Sequence, residues 1–265
     1  MTTTIKTSLA LAALALTGLA TTAAAQDFRW TGRLAAGKRV EIKGVNGDIH
    51  AVAATGGGTD VEVTAVKHAR RSDPDEVEIK VVPSDDGVTI CAVYPSGRRA
   101  RHANSCEPGD HWSSNTENND VSVDFTVRLP ANLELYANTV NGDVEAEGLG
   151  STVRAYTVNG GIRLSTKGFA EAVTVNGSIY ASMGRADWSD GIDFHTVNGG
   201  ITLELPATFS AEVRASTVNG EIETDFPLTV TGRFGLRHLR GTVGSGGRDL
   251  DLNTVNGSIR LRKST

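Results

Sequence analysis

Short runs in which every second residue is apolar recur along most of this chain, separated by turn residues. In the first half, Val40 to Ile49, Asp60 to Val66, Val77 to Val82, Val88 to Val93 and Val121 to Leu129 alternate in this way. In the second half the same spacing links Leu133 to Leu135, Ile192 to Phe194, Val213 to Ala215 and Leu250 to Leu252, and then Ile162 to Leu164, Ile201 to Leu203 and Leu205, and Ile259 to Leu261. A period of two belongs to half-buried strands, and no sustained helical period competes with it. The expected class is all-β.

The turns between the later runs are almost identical. Val-Asn-Gly occurs seven times, at Asn46-Gly47, Asn141-Gly142, Asn159-Gly160, Asn176-Gly177, Asn198-Gly199, Asn219-Gly220 and Asn256-Gly257, and a threonine precedes six of them. The residue two after each glycine is Ile or Val. From Asn141 onward the asparagines lie 18, 17, 22, 21 and 37 residues apart. Such a period signals a repeat architecture. The last interval is about two periods, which predicts a degenerate copy near Gly241-Thr242-Val243-Gly244.

Asn-Gly between strands is also a strong hairpin signal, so a meander or sandwich is the competing reading. In a two-residue hairpin, Val140 would share a face with Asp143 and Val218 with Glu221, mixing apolar and charged residues on each face. If the chain instead runs forward through each bend, Val140 with Val144 and Val218 with Ile222 point into one interior. Residues 143 and 221 then face water. Identical turns stack as a parallel β-solenoid, each covering its neighbour's apolar face. This reading expects buried asparagines, with Asn141, Asn159, Asn176, Asn198 and Asn219 in a row along the axis. It expects glycine at the corner because the backbone conformation there excludes β-branched residues.

The chain therefore divides into a segment 1–25, a less regular N-terminal β region at 26–130 with a polar loop at 95–120, and a solenoid repeat region at 131–265. The segment DVSVDFTVRLPANLELYANTVNGDVEAEG and the ending GTVGSGGRDLDLNTVNGSIRLRK carry a resemblance to the putative-adhesin family of β-strand-repeat proteins. In that family a strand ending in proline leads into the repeats, as Leu129-Pro130 does here. The resemblance implies a β-solenoid fold and an exported or cell-envelope location. It supplies no catalytic residues, and the family's function is undefined.

Composition narrows the classes further. Lys6, the apolar run Leu9 to Ala20 and the small residues Ala23-Ala24-Ala25 form a signal peptide, with cleavage expected before Gln26. That run is too short for a membrane helix, and no later stretch is long enough. The net charge of −5 gives no basic stripe for nucleic acid. Cys91 and Cys106 are the only cysteines, and in an exported chain they are expected to form one disulfide. A Cys/His metal site with His102 and His111 is the alternative, but its spacing matches no zinc pattern. Asp and Asn residues in the polar loop match no calcium-loop spacing either.

The residues after the motif glycines, Asp48, Asp143, Gly161, Ser178, Gly200, Glu221 and Ser258, are where a solenoid enzyme would place its acids. No two neighbouring repeats present carboxylates there, so paired catalytic acids are not expected. Asp187, Asp190 and Asp193 with His195 around Trp188 make the best candidate pocket, against a plain surface loop. The threonine row could bind sugar or close hydrogen bonds beside the turn. The expected function is an exported, non-enzymatic envelope protein, adhesin-like or scaffolding, with no catalytic, cofactor or metal residues. Its partners would be envelope proteins or surface glycans. The alternative is a polysaccharide-active enzyme or a carbohydrate-binding module, the latter relying on Trp112, Trp188 and Tyr180 as exposed rings.

Overall fold

The computed structural model describes residues 28–97, 102–109, 114, 116–186, 188, 191–230 and 237–264. The predicted signal peptide lies outside them. The strands are β1 (Phe28–Arg33), β2 (Arg39–Lys43), β3 (Ile49–Ala53), β4 (Asp60–His68), β5 (Glu78–Ser84), β6 (Gly87–Val93) and β7 (Ser122–Leu129). They continue as β8 (Glu134–Asn138), β9 (Val144–Leu149), β10 (Val153–Tyr156), β11 (Ile162–Thr166), β12 (Ala170–Val173), β13 (Ile179–Met183) and β14 (Ile192–His195). The last are β15 (Ile201–Leu205), β16 (Ala211–Ser216), β17 (Ile222–Thr224), β18 (Leu228–Val230), β19 (His238–Val243), β20 (Asp249–Asn253) and β21 (Ile259–Lys263). Among the described residues, no helix is long and apolar enough to cross a membrane.

The strands form one 10-stranded and one 11-stranded sheet, here sheets A and B. Each coil of the solenoid runs along sheet B, bends at a motif corner and continues along sheet A. Thus β8 leads to β9, β10 to β11, β12 to β13 and β14 to β15. Pairing between coils is parallel and in register: Ile162 faces Val144 and Ile179, and Ala155 faces Ala137 and Ala172. Alternate residues on both sheets point into one shared core, including Leu135, Val144, Leu164, Ile179, Phe194, Ile201, Leu252 and Ile259. Each such aliphatic side chain contributes roughly 1.5–3 kcal/mol when fully buried. Strands from before and after residue 130 share both sheets, since β2 pairs with β8 and β3 with β9.

The order of coils in space is not the order in sequence. At one end β2 and β3 lie between the β6–β7 coil and the β8–β9 coil. At the other end β20 and β21 lie between β14–β15 and β16–β17. The expected row of Asn141, Asn159, Asn176, Asn198 and Asn219 is therefore corrected, because Asn256 separates Asn198 from Asn219. Charge matches this insertion. Arg260 and Arg262 of β21 meet Glu223 at 3.2 and 2.9 Å, Arg262 also meets Asp225 at 3.0 Å, and Arg214 of β16 meets Asp249 and Asp251 at 3.0 and 3.3 Å.

The expected degenerate corner at Gly241-Thr242-Val243-Gly244 is also corrected. Residues up to Val243 belong to β19, which runs antiparallel to β16 with Val213 opposite Gly241. Gly244, at φ +59°, opens the turn that returns the chain to β20. The long interval is a covering excursion through β18 and β19. At the far end β5 covers β6, and β4 with β1 covers β7, all antiparallel. A solenoid needs such covers because its last coils would otherwise expose unpaired edges.

The reason for glycine in the motif differs from the expected one. Only Gly47, at φ +117°, is left-handed among the motif glycines. The others are required by close approach: a Cβ on Gly177 would be driven into the carbonyl oxygen of Gly160, and the same holds between each stacked pair. Gly161 is different, since a Cβ there would find its nearest neighbour, Ser178 O, at 3.6 Å. Gly177→Ala should therefore cost about 2–3 kcal/mol or more in urea unfolding, whereas Gly161→Ala should stay within about 0.5 kcal/mol of the parent. Equal tolerance of both substitutions would contradict the stacked corner.

Candidate functional site: the stacked corner and the outer faces

Within the six corners that carry a threonine, the threonine is inside and the valine is turned outward, the reverse of the expected arrangement. The first corner has Gly44 in that place and a buried Val45. Thr139, Thr157, Thr174, Thr196, Thr217 and Thr254 are all buried, while Val218 and Val255 are exposed and Val140 is only partly covered. The backbone alternation carries straight from the strand into the corner, so the residue before valine inherits the inward position. A buried hydroxyl needs a partner. Thr139 Oγ1 donates to Gly47 O at 3.0 Å, Thr157 to Gly142 O at 2.9 Å and Thr174 to Gly160 O at 3.0 Å. Thr196, Thr254 and Thr217 donate to Gly177 O, Gly199 O and Gly257 O, each at 2.8 Å. Burial removes this row from ligand recognition.

The asparagines form a second ladder on the surface. Nδ2 of Asn141 donates to Oδ1 of Asn46 at 2.8 Å, and the chain of amides continues through Asn159, Asn176 and Asn198. Asn256 and then Asn219 complete it at 2.7 Å each. The expectation of buried amides is corrected: all but Asn46 are exposed. The position after the glycine makes a third ladder. Asp48 Oδ1 accepts from Asp143 N at 2.8 Å, and Asp143 Oδ1 from Gly161 N at 2.7 Å. Ser178 Oγ accepts from Gly200 N at 3.2 Å and Ser258 Oγ from Glu221 N at 3.3 Å. Asp48 and Asp143, the positions where a solenoid enzyme would hold its acids, thus each spend an oxygen on the backbone of the next coil.

Cys91 and Cys106 are brought together, their Sγ atoms 1.96 Å apart. Cys91 lies opposite Lys43 in sheet B, so the pair holds the chain around 106 against the outer face of β2. Residues 98–101, 110–113 and 115 of the polar loop lie outside the described residues, His111 and Trp112 among them. The described part is not a solvated loop throughout. Lys43 is fully buried beneath it, donating to Glu107 O at 2.7 Å and to Gly109 O, with Glu41 Oε1 at 3.3 Å. Glu41 Oε2 in turn accepts from Thr89 Oγ1 at 2.8 Å and Gly109 N at 3.1 Å. Tyr94, also buried, donates to Val121 O at 2.8 Å, and burial pushes its phenol up to about 12. At the same end of the Asn ladder, Asn46 Nδ2 donates to Val121 O at 3.4 Å.

Asp193 and His195 project outward from β14, while Asp187 and Asp190 lie outside the described residues. Trp188 is not an exposed ring but a core one, 6.2 Å from Phe169 and 5.9 Å from Phe209, which in turn lies 5.2 Å from Phe226. Tyr180 is half-buried on the sheet A face, with the Arg163 guanidinium 5.2 Å from its ring centre.

Sheet B carries a feature that sequence reasoning missed. Tyr136 sits between Arg39 and Arg154, whose guanidinium carbons are 4.2 and 4.9 Å from the ring centre. Arg154 donates to both Tyr136 Oη and Glu171 Oε2. Burial pushes the Tyr136 phenol up, against the pull of the two guanidiniums. Tyr156 lies one row further along β10, in register with Asn138 and Val173. The only sequence signal was that Tyr136 and Tyr156 both occupy polar positions of the alternation.

Fold and corner together define a ladder-stabilised parallel β-solenoid with capped ends. The chain belongs to the Toastrack DUF4097 family, whose pattern matches residues 107–262. No curated protein matches it in sequence. Among solved structures, a putative cell adhesion protein from Clostridium sporogenes aligns over 89% of this chain and 99% of its own, at 12% identity and a TM-score of 0.44. A putative adhesin from Bacteroides fragilis aligns over 89% and 96%, at 12% identity and a TM-score of 0.28. At such scores neither bears on what this chain binds.

The Glu41–Lys43 pair gives a test of the covered face. Removing one member of a buried pair leaves the other charge unpaired, so Lys43→Met should cost about 3–5 kcal/mol. Adding Glu41→Gln should recover most of that loss in urea unfolding. A small effect of Lys43→Met alone would show that the segment 106–109 does not cover the pair.

Proposed function

We propose that this is an exported, non-enzymatic protein of the cell envelope, acting as an adhesin-like or scaffolding surface toward envelope proteins or surface glycans. The observation that carries this reading is the corner itself. Continuous threonine and asparagine ladders, with a third set of bonds interrupted at Gly161 and Gly200, hold successive coils in fixed register, so outward side chains are displayed in rows across two long sheets. A pre-ordered surface loses little conformational entropy when it meets a partner. The hydrogen bonds also occupy the carboxylates of Asp48 and Asp143 in structure, which supports binding over hydrolysis. The apolar run before Ala23-Ala24-Ala25 supports export, and the Cys91–Cys106 pair fits an oxidising compartment.

Fractionation of a bacterial host expressing the complete chain tests the location and the bond together. The chain should be recovered from the periplasm or envelope beginning at Gln26, and mass spectrometry without reductant should find the peptides of Cys91 and Cys106 joined. Intact Met1 protein in the cytosol with two free thiols would contradict the proposal.

A further inference from the structure

We propose that the outer face of sheet B around Tyr156 is a binding platform for a neutral glycan, a chain of pyranose rings of which one lies flat on Tyr156. The inference rests on the envelope-surface reading and names the class of ligand for it. Tyr156 is 50% exposed, and no other aromatic ring among the described residues is classed as exposed. It stands within the sheet, not at an edge, with Asn138 on one neighbouring strand and Val173 on the other. Its surroundings are thus apolar on one side and amide-bearing on the other. The adjoining row, Tyr136, Arg154 and Glu171, is already linked by hydrogen bonds, so its polar groups are positioned before any ligand arrives.

A pyranose ring has an apolar C–H face and a rim of hydroxyls. An exposed aromatic ring beside fixed amide, guanidinium and carboxylate groups offers both the surface and the hydrogen bonds it needs. Arg39 lines the same groove as Tyr156, a depression of about 300 Å³. Neighbouring strands lie ~4.8 Å apart, comparable with one sugar ring, so successive strands can face successive rings. Arg39 and Arg154 are balanced in this groove by Glu41 and Glu171, so it carries no excess positive charge to draw a polyanion.

Titration calorimetry of the mature chain with cellohexaose, chitohexaose and hexagalacturonate tests the assignment. At least one neutral hexasaccharide should bind, and Tyr156→Ala should weaken it by about tenfold with an unchanged thermal melt. Tyr180→Ala, on sheet A, should leave binding unchanged. No binding by either neutral sugar, binding of hexagalacturonate alone, or neutral-sugar binding indifferent to Tyr156→Ala would overturn the platform. An envelope-located chain that binds no glycan removes only this assignment. A glycan-binding chain found intact in the cytosol removes only the export reading.

Discussion

The structure depends on how closely one corner approaches the next. Each motif glycine except Gly47 lies against the carbonyl of the glycine stacked beside it, at a separation that no side chain allows. That approach brings the threonine hydroxyl within reach of the neighbouring glycine carbonyl from the inside, and the asparagine amides within reach of one another from the outside. Each hydrogen bond is worth only about 1 kcal/mol net, but all of them require the same spacing. Glycine is therefore the condition, and the threonine and asparagine ladders follow from it. Register at the corner then fixes the register of both sheets, because the strands on either side continue directly from it.

Closed ends and an open middle divide the chain's tasks. Coils from β8 to β15 stack in the order in which they are made, which local connections favour. The ends do not. The chain leaves the stack after β17, builds β18 and β19 over the edge of β16, and returns to insert β20 and β21 beneath the coil it made earlier. Backbone pairing alone is nearly indifferent to which coil lies beside which, since every corner carries the same motif. The outward charges distinguish them: arginines on β21 face acids on β17, and Arg214 on β16 faces aspartates on β20. Exposed pairs contribute about 0.2–1 kcal/mol each, modest for stability but enough to favour one order among near-equal alternatives.

Much of this was legible in the sequence, and the failures have physical causes. Period-two alternation gave the all-β class, and the clash of valine with aspartate in a hairpin gave the forward-running coil. The same argument put Val140 inside, because it counted apolar character and overlooked that Thr139 continues the inward phase of Leu135 and Ala137. The order of coils was hidden because identical motifs carry no address, although the acids of IETD and the basic residues of IRLRK held the clue. The platform at Tyr136 and Tyr156 went unnoticed because a tyrosine on a strand is ordinary. Only register shows that Arg39, Arg154 and Glu171, from three strands, fall beside it. Trp188, by contrast, reads as an exposed ring because its neighbours along the chain are polar, which says little about a side chain whose contacts are with the core.

The insertion of the final coil is the claim most exposed to a single measurement, through-hydrogen-bond scalar coupling in the NMR spectrum of the isotope-labelled protein. The amide nitrogen of Ile201 donates to Ser258 O, and that of Ile259 to Glu221 O, both at 2.9 Å. Coupling should therefore appear from Ile201 N to the Ser258 carbonyl carbon and from Ile259 N to that of Glu221. A coupling from Ile201 N directly to the Glu221 carbonyl carbon would mean that the coils stack in the order of the sequence, and would contradict the account.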